Sequence, residues 1–416
     1  MIKKILFITL VLCSALAVGQ LNGNPSPYSF YGIGTEQFQG TTENRSIGGL
    51  STVSDSLHLN LRNPASLGKL RFVTFAVGGN HDQVGLEDAT INSTASNSAF
   101  SYLALGFPVA KRVGVSFGLI PFTSVGYQLE EANGTQIDQF SGQGGLNRVF
   151  LSTGYKAFKG FTIGGSIEYN FGNIQNESFI IIDQVEFGTR ETNRSDILGF
   201  TFNLGAQYEI DLSEKLRLYS SLSYIPSTSI NSENQREVAS VFFNPTIAVF
   251  QEAAVTNLDV ADSDFEFPSA ITFGLGIGEH NKWYVGGEIT NQNNSSFTNR
   301  SFTLDNAEFV DATQIRFGGF YTPNFRSIRS YASRVTYRAG LRIEETGLVV
   351  NGESIDEFGI SFGVGLPVGT ILNNVNIGFE YGQRGTTSAN LIQENIFNFN
   401  IGLSFNDIWF IKSKFN

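Results

Sequence analysis

Between residues 161 and 171 the chain alternates without a break. Phe161, Ile163, Gly165, Ile167, Tyr169 and Phe171 fall on one side of an extended backbone, and Thr162, Gly164, Ser166, Glu168 and Asn170 fall on the other. Successive strand side chains point to opposite faces, so this pattern predicts a strand with one greasy and one polar surface. Residues 197–210 repeat it, with Leu198, Phe200, Phe202, Leu204, Ala206, Tyr208 and Ile210 opposed to Gly199, Thr201, Asn203, Gly205, Gln207 and Glu209. Residues 396–405 do so again, with Phe397, Phe399, Ile401, Leu403 and Phe405 against Asn398, Asn400, Gly402 and Ser404. A soluble sandwich also alternates, but it does not need an apolar face this continuous over about ten residues, whereas a strand facing lipid does.

The same reading predicts strands near 70–78, 99–107, 113–127, 146–155, 161–171, 197–210, 216–226, 268–278, 282–291, 313–321, 333–344, 356–365, 374–382 and 396–405, an even count of fourteen. Links after even strands are short, as at 108–112, 156–160, 211–215, 279–281 and 366–373, with a medium one at 322–332. Links after odd strands are mostly long: 79–98, 128–145, 172–196, 227–267, 292–312 and 383–395, with a medium one at 345–355. Short turns at one end and long loops at the other are the habit of outer-membrane barrels. The fold class predicted is therefore all-β, an antiparallel outer-membrane barrel of about fourteen strands, with both termini on the periplasmic, short-turn side. Trp283, Tyr284, Tyr381 and Trp409 near strand ends suit interfacial girdles, with ordinary core aromatics as the alternative.

The N-terminus reads as an export signal over residues 1–19: Lys3 and Lys4, an apolar run from Ile5 to Leu16, then Ala17, Val18 and Gly19 before Gln20. Cys13, the only cysteine, lies inside it, which leaves the mature chain without disulfides, thiolate metal sites or cysteine nucleophiles. No later run is long and apolar enough for a membrane helix, so a membrane-spanning form must be a closed barrel. A net charge of −11 with no basic patch argues against nucleic acid as a partner.

Catalysis finds little support, because His58, His81 and His280 have neither ligand nor triad spacing. No enzyme activity and no cofactor are expected. Asp259, Asp262, Asp264 and Glu266 form an acidic cluster that reads first as solvated and only second as a divalent-cation site, so no metal is assigned.

Two groups of residues carry the functional expectation. The long loops contain apolar islands, Phe179, Ile180, Ile181 and Ile182, then Val241, Phe242 and Phe243, then Ile247, Ala248, Val249 and Phe250. These are candidate capture sites for an apolar ligand, or else upward extensions of strands that pack on one another. Strand parity also points Glu168, Glu209, Arg217, Glu288, Arg316, Arg338, Arg342, Glu344 and Glu380 into the lumen. Mixed charges in a narrow lumen pair with each other or with a plug, the favoured reading. Arg338 and Arg342, four apart on one strand, alternatively hold a carboxylate.

The stretch NRSIGGLSTVSDSLHLNLRNPASLGKL at 44–70, with Gly48, Gly49 and the Asn63, Pro64, Ala65 core, resembles the segment leading into the first strand of FadL-type long-chain fatty-acid and hydrocarbon transporters. Residues 106–127 and 380–415 resemble a large branch of the same group. The resemblance implies a fourteen-stranded barrel spanning 67–416, a hatch of residues 20–66 folded into its lumen around Asn63, Pro64 and Ala65, and passive uptake of a small hydrophobic molecule such as a long-chain fatty acid. Expected partners are thus outer-membrane lipid and a hydrophobic small molecule. The rival expectation is a non-transporting barrel, an accessory in protein secretion or a surface scaffold that binds another protein. A continuous apolar tunnel favours the first and a filled lumen the second.

Overall fold

In the computed structural model, which describes residues 25–88, 92–244, 249–297, 306–369 and 373–408, fourteen antiparallel strands form a ring. They are β1 (Val73–Glu87), β2 (Asn92–Ala110), β3 (Val113–Pro121, resuming as Thr123–Asn133), β4 (Gln136–Phe158), β5 (Phe161–Ile182), β6 (Gly188–Asp211) and β7 (Arg217–Ile225, resuming as Thr228–Asn244). There follow β8 (Val249–Leu258, then Ser263–Phe267 and Ala270–Glu279), β9 (Trp283–Gln292), β10 (Ala307–Phe309 and Ala312–Tyr321), β11 (Thr336–Val350), β12 (Glu353–Pro367), β13 (Asn374–Arg384) and β14 (Gln393–Asp407). Each pairs with its sequence neighbours, and β1 closes on β14 from Val73 opposite Asp407 to Glu87 opposite Gln393.

Burial along these strands is inverted relative to a soluble protein. On β6, Phe200 is 55% and Leu204 54% exposed, while Thr201 is 0% and Gln207 1%. Apolar side chains outside and buried polar ones inside make sense only when the surrounding solvent is hydrocarbon, and closure satisfies the backbone groups that lipid cannot. No helix among the described residues is long and apolar enough to cross a membrane, so the strands do the crossing.

All fourteen predicted strands are present, but most are longer than the alternation suggested, and the extra length lies at one end. The links expected at 128–145 and 172–196 are continuous ladder except for tight turns, because β3–β4 pair up to Asn133 opposite Gln136 and β5 runs to Ile182. Above the lipid both faces meet water or other protein, the selection for alternation lapses, and pattern alone cannot see the strand continue. The rim is uneven in consequence. Strands β3 to β8 rise high, whereas β9 stops at Gln292 opposite Ala270.

The wall is interrupted between β2 and β3. The β2–β3 ladder ends at Leu103 opposite Leu119, and β3 breaks at Phe122, so the two strands part in the upper half of the wall. Tyr284 is a correction to the girdle expectation: it is 1% exposed and packs inside against Tyr219 (5.4 Å) and Phe320 (6.0 Å). It follows Trp283 directly, so the two point to opposite faces. Tyr381 does face outward, while Trp409 and residues 1–24 lie outside the described residues.

Candidate functional site

Residues 25–72 make only three short helical turns and one two-residue strand, yet they touch strands all round the ring. The Thr42 N–H reaches the Tyr102 hydroxyl on β2, Gln39 reaches the Pro121 carbonyl on β3, and Ser54 donates to Gln207 on β6. Thr52 meets Ser221 on β7 and Glu288 on β9, the Gly48 N–H donates to Ser361 on β12, Arg45 to Glu380 on β13 and Ser26 to Glu394 on β14. One segment reaches opposite walls in this way only from within, so it plugs the lumen.

The wall is shaped to receive the plug. Gly114, Gly154, Gly164 and Gly205 sit side by side across β3 to β6. Against this flat row lies the 3₁₀ turn Pro64–Lys69, whose N-cap Asn63 accepts from the Ala65 N–H and donates its amide to the Leu222 carbonyl at 3.2 Å. A Cβ at Gly164 would come 2.5 Å from the backbone of Pro64 and Ala65. A second row, Gly276, Gly286, Gly318 and Gly340, crosses β8 to β11, and the Ile47–Gly48 turn rests directly on its Gly318 and Gly340. Glycine in a strand lets another backbone approach closely, so the first row together with Gly318 and Gly340 seats the plug, whereas Gly276 and Gly286 make room for the Tyr284 ring.

The candidate lumen charges form clusters with plug residues. Arg316 pairs with Glu344 at 2.6 Å; Arg342 contacts Glu344 (3.2 Å), Glu380 (2.7 Å) and Glu357; Arg384 contacts Glu357 and Glu394 (3.4 Å); Arg45 completes the set on Glu380 at 2.9 Å. Four guanidinium groups thus face four carboxylates. Opposite them, Glu209 is held by Lys69 from the plug (2.6 Å) and by Arg217 (3.2 Å). Glu168 pairs with Arg148 at 3.0 Å, and the Arg148 guanidinium lies 3.8 Å over the Phe122 ring. Glu288 makes no ion pair among the described residues; it accepts from the Ser51 N–H and hydroxyl and from Thr52.

Arg338 parts company with Arg342. It donates to Asn376 at 2.9 Å, which donates to Glu43 of the plug, and it lines a cavity of about 310 Å³ at the short-turn end with His58 and His280. Burial alone would lower the His58 pKa, but the Asp55 carboxylate, 2.6 Å from Nδ1, more than reverses this and holds it above the ordinary imidazole value. Burial alone would raise the Asp55 pKa, and His58 and two backbone N–H groups instead hold it well below the carboxylate range. The pair therefore stabilises the seated plug above the ordinary Asp pKa, and the His58 contribution fades as pH rises through its elevated pKa. Asp55 is 39% exposed, so screening keeps the effect small. Thermal scans from pH 5 to 9 should show His58→Gln losing its disadvantage relative to the parent at the alkaline end; a constant gap would contradict the pairing.

The apolar islands pack on one another. Phe179 and Val241 are buried with Ala239, Ile181 packs against them, and Phe250 meets Phe179 edge-on at 4.6 Å. Ile180 and Ile182 point outward, 37% and 41% exposed, and Phe242 touches Phe187. Val249 faces Asn244 and Phe250 faces Phe243 across the β7–β8 ladder; Ile247 and Ala248 lie outside the described residues.

A chamber rich in aromatic residues, formed elsewhere, was not foreseen from the sequence. Tyr31 and Ile33 of the plug, Phe122 at the break in β3, Phe267, Phe297 and Phe309 line one side of a cavity of about 180 Å³, and Glu36, Glu344, Glu357 and Arg384 line its charged side. Phe122 and Phe267 pack at 5.4 Å, Phe297 and Phe309 at 5.0 Å. Its residues come from the plug and from more than four separate stretches of the barrel, so no local pattern marks them. Beside it, in the parting between β2 and β3, lies a cavity of about 340 Å³ lined by Phe38, Thr41, Phe100, Tyr102 and Pro121.

A closed fourteen-stranded ring with a lumen plugged by its own N-terminal segment defines the chain as a plugged outer-membrane β-barrel. Among solved structures it is similar to a mutant of the TodX monoaromatic hydrocarbon channel (TM-score 0.60, 16% identity, 88% of this chain and 99% of that one). It is likewise similar to the Pseudomonas putida toluene transporter TodX (0.59, 15%, 90% and 100%) and to a Pseudomonas aeruginosa FadL homologue (0.55, 10%, 90% and 98%). No curated protein matches the sequence. The family model that matches is BamG, over residues 1–416, and the chain belongs to the BamG family.

Proposed function

We propose that this protein is a passive outer-membrane channel for a small hydrophobic molecule, oriented with its tall hairpins outside the cell and its termini in the periplasm. The supporting observation is the aromatic chamber between plug and rim, next to the parting in the wall. An apolar cavity of roughly 150 Å³ takes one aromatic ring, so a chamber of about 180 Å³ suits a ring or a short alkyl stretch rather than a whole long acyl chain. The lumen beneath is charged and filled. An apolar guest released from the chamber therefore leaves sideways between β2 and β3 after the plug shifts at Phe38 and Thr41. No energy-coupling element is part of this scheme.

Toluene should raise the melting temperature of the detergent-purified protein by mass action. Leu348→Trp, which fills the chamber from β11, should remove that rise while leaving the melting temperature without toluene within a few degrees. A parent protein indifferent to toluene, naphthalene and decanoate would defeat the channel reading. It would favour the second one, a non-transporting accessory or scaffold, which the filled lumen itself supports.

A further inference from the structure

The tall side of the rim is a sheet of six strands, β3 to β8, standing above the closed ring, and such a sheet has two edges. On β3 the plug covers the edge: Thr35 and Glu36 pair with Ser124 and Thr123, the Ser26 N–H donates to the Gly126 carbonyl, and the Gly126 N–H donates to Ser29. On β8 nothing does. Residues 249–258 pair with β7 on one side, and β9, the next strand round, ends far below at Gln292. Among the described residues, 252–258 meet no strand on their other side. All seven side chains are exposed, with Val255 at 46% and Leu258 at 44%. At about 3.4 Å per residue this is an edge of roughly 24 Å, interrupted by a β-bulge at Ala253, with backbone groups that no described strand pairs.

Exposed edges of this length are normally shortened, bulged away or guarded by lysine, because they template pairing with another chain. Here none of those guards is present over residues 254–258, and the sequence Ala254, Val255, Thr256 favours strand. The setting is acidic: from Glu237 to Asn281 there is no Lys or Arg, while Glu252, Asp259, Asp262, Asp264 and Glu266 all lie on β8 or its internal turn. Glu252 is neutralised by Arg190 at 2.7 Å; Asp259, Asp262, Asp264 and Glu266 are exposed and have no ion pair among the described residues.

We propose that residues 252–258 form a docking edge where an extended, basic segment of another protein on the same membrane face adds as a strand. A second copy of this chain fits poorly on two grounds. It would bring an equally acidic edge. Moreover, two barrels inserted in the same sense and related by a two-fold along the membrane normal bring identical edges together in parallel and unshifted. Parallel pairing needs a one-residue offset, so each N–H would face an N–H. A foreign strand has neither restriction.

The test uses the full-length protein in nanodiscs and amide hydrogen exchange. The probe is a synthetic peptide, Lys-Thr-Val-Thr-Val-Thr-Lys, with two controls: its Glu-ended counterpart, and a version N-methylated at alternate amides. The free protein should exchange every second amide of 252–258 rapidly. The basic peptide should slow those amides at least tenfold, and the two controls should not. Thr256→Lys with Leu258→Lys, both exposed positions, should abolish the slowing without altering the melting temperature. Three results overturn the proposal: edge amides already slow in the free protein, slowing by both charged peptides alike or by neither, or a dimer in sedimentation that itself protects them.

Discussion

Arg342→Met is expected to destabilise the folded barrel by about 3–5 kcal/mol, the usual consequence of stripping one partner from a buried ion cluster. Arg342 touches Glu344, Glu357 and Glu380, whose side chains are 16%, 5% and 6% exposed. Without the guanidinium, Glu380 keeps only Arg45, Glu344 only Arg316 and Glu357 only Arg384. Three carboxylates then crowd a site with little water. Urea unfolding in lipid vesicles measures the loss, and adding Glu357→Gln should recover part of it, since the two positions share one network. Lys282→Met is the contrast: its pair with Glu279 at the short-turn end is exposed, so a change of at most about 0.5 kcal/mol is expected. Equal losses for both would mean that the lumen is wetter than its burial implies.

The second large effect concerns permeability. A Cβ at Gly340 would overlap the backbone of Ile47 and Gly48, and one at Gly318 would overlap Ile47. Both glycines point into the lumen from strands that carry side chains readily, so Gly340→Val should fold as a barrel but be unable to seat its plug. A fourteen-stranded wall encloses more space than eight strands, which side chains alone fill, and approaches the size at which porins hold an aqueous channel. Planar-bilayer recordings should thus change from closed to conducting, with Gly318→Val alike. Gly85→Ala, whose new Cβ would lie 3.8 Å from its nearest neighbour, should remain closed. A folded Gly340→Val that stayed shut would show that the plug has other places to rest.

The strands were legible because lipid imposes a rule on every second residue, as the outward Phe397, Phe399 and Ile401 of β14 illustrate. Where that rule stops, so did the reading: Arg384 lies two residues past the predicted end of β13 and Glu394 two before the predicted start of β14, so both escaped notice although they belong to the lumen cluster. Parity did place Arg316, Arg342, Glu344 and Glu380 inward, but their partners depend on the tilt and register of a ring, which no single strand encodes. The glycines show the same limit. Their alternation was visible, yet that Gly164 serves Pro64 and Ala65 requires knowing which two backbones, a hundred residues apart, meet. The aromatic chamber was the least accessible, since Ile33, Phe122, Phe267 and Phe309 share no periodicity.

The seam between β1 and β14 has a bearing on how the molecule is made. Val73 meets Asp407 only after everything between them has been synthesised, so the stitch that completes the ring is the last available to the growing chain. The N-terminal segment holds onto Glu380 and Glu394 near that late end, as well as onto β6 and β7. Sealing the seam therefore encloses that segment, and ring and plug are completed in one step.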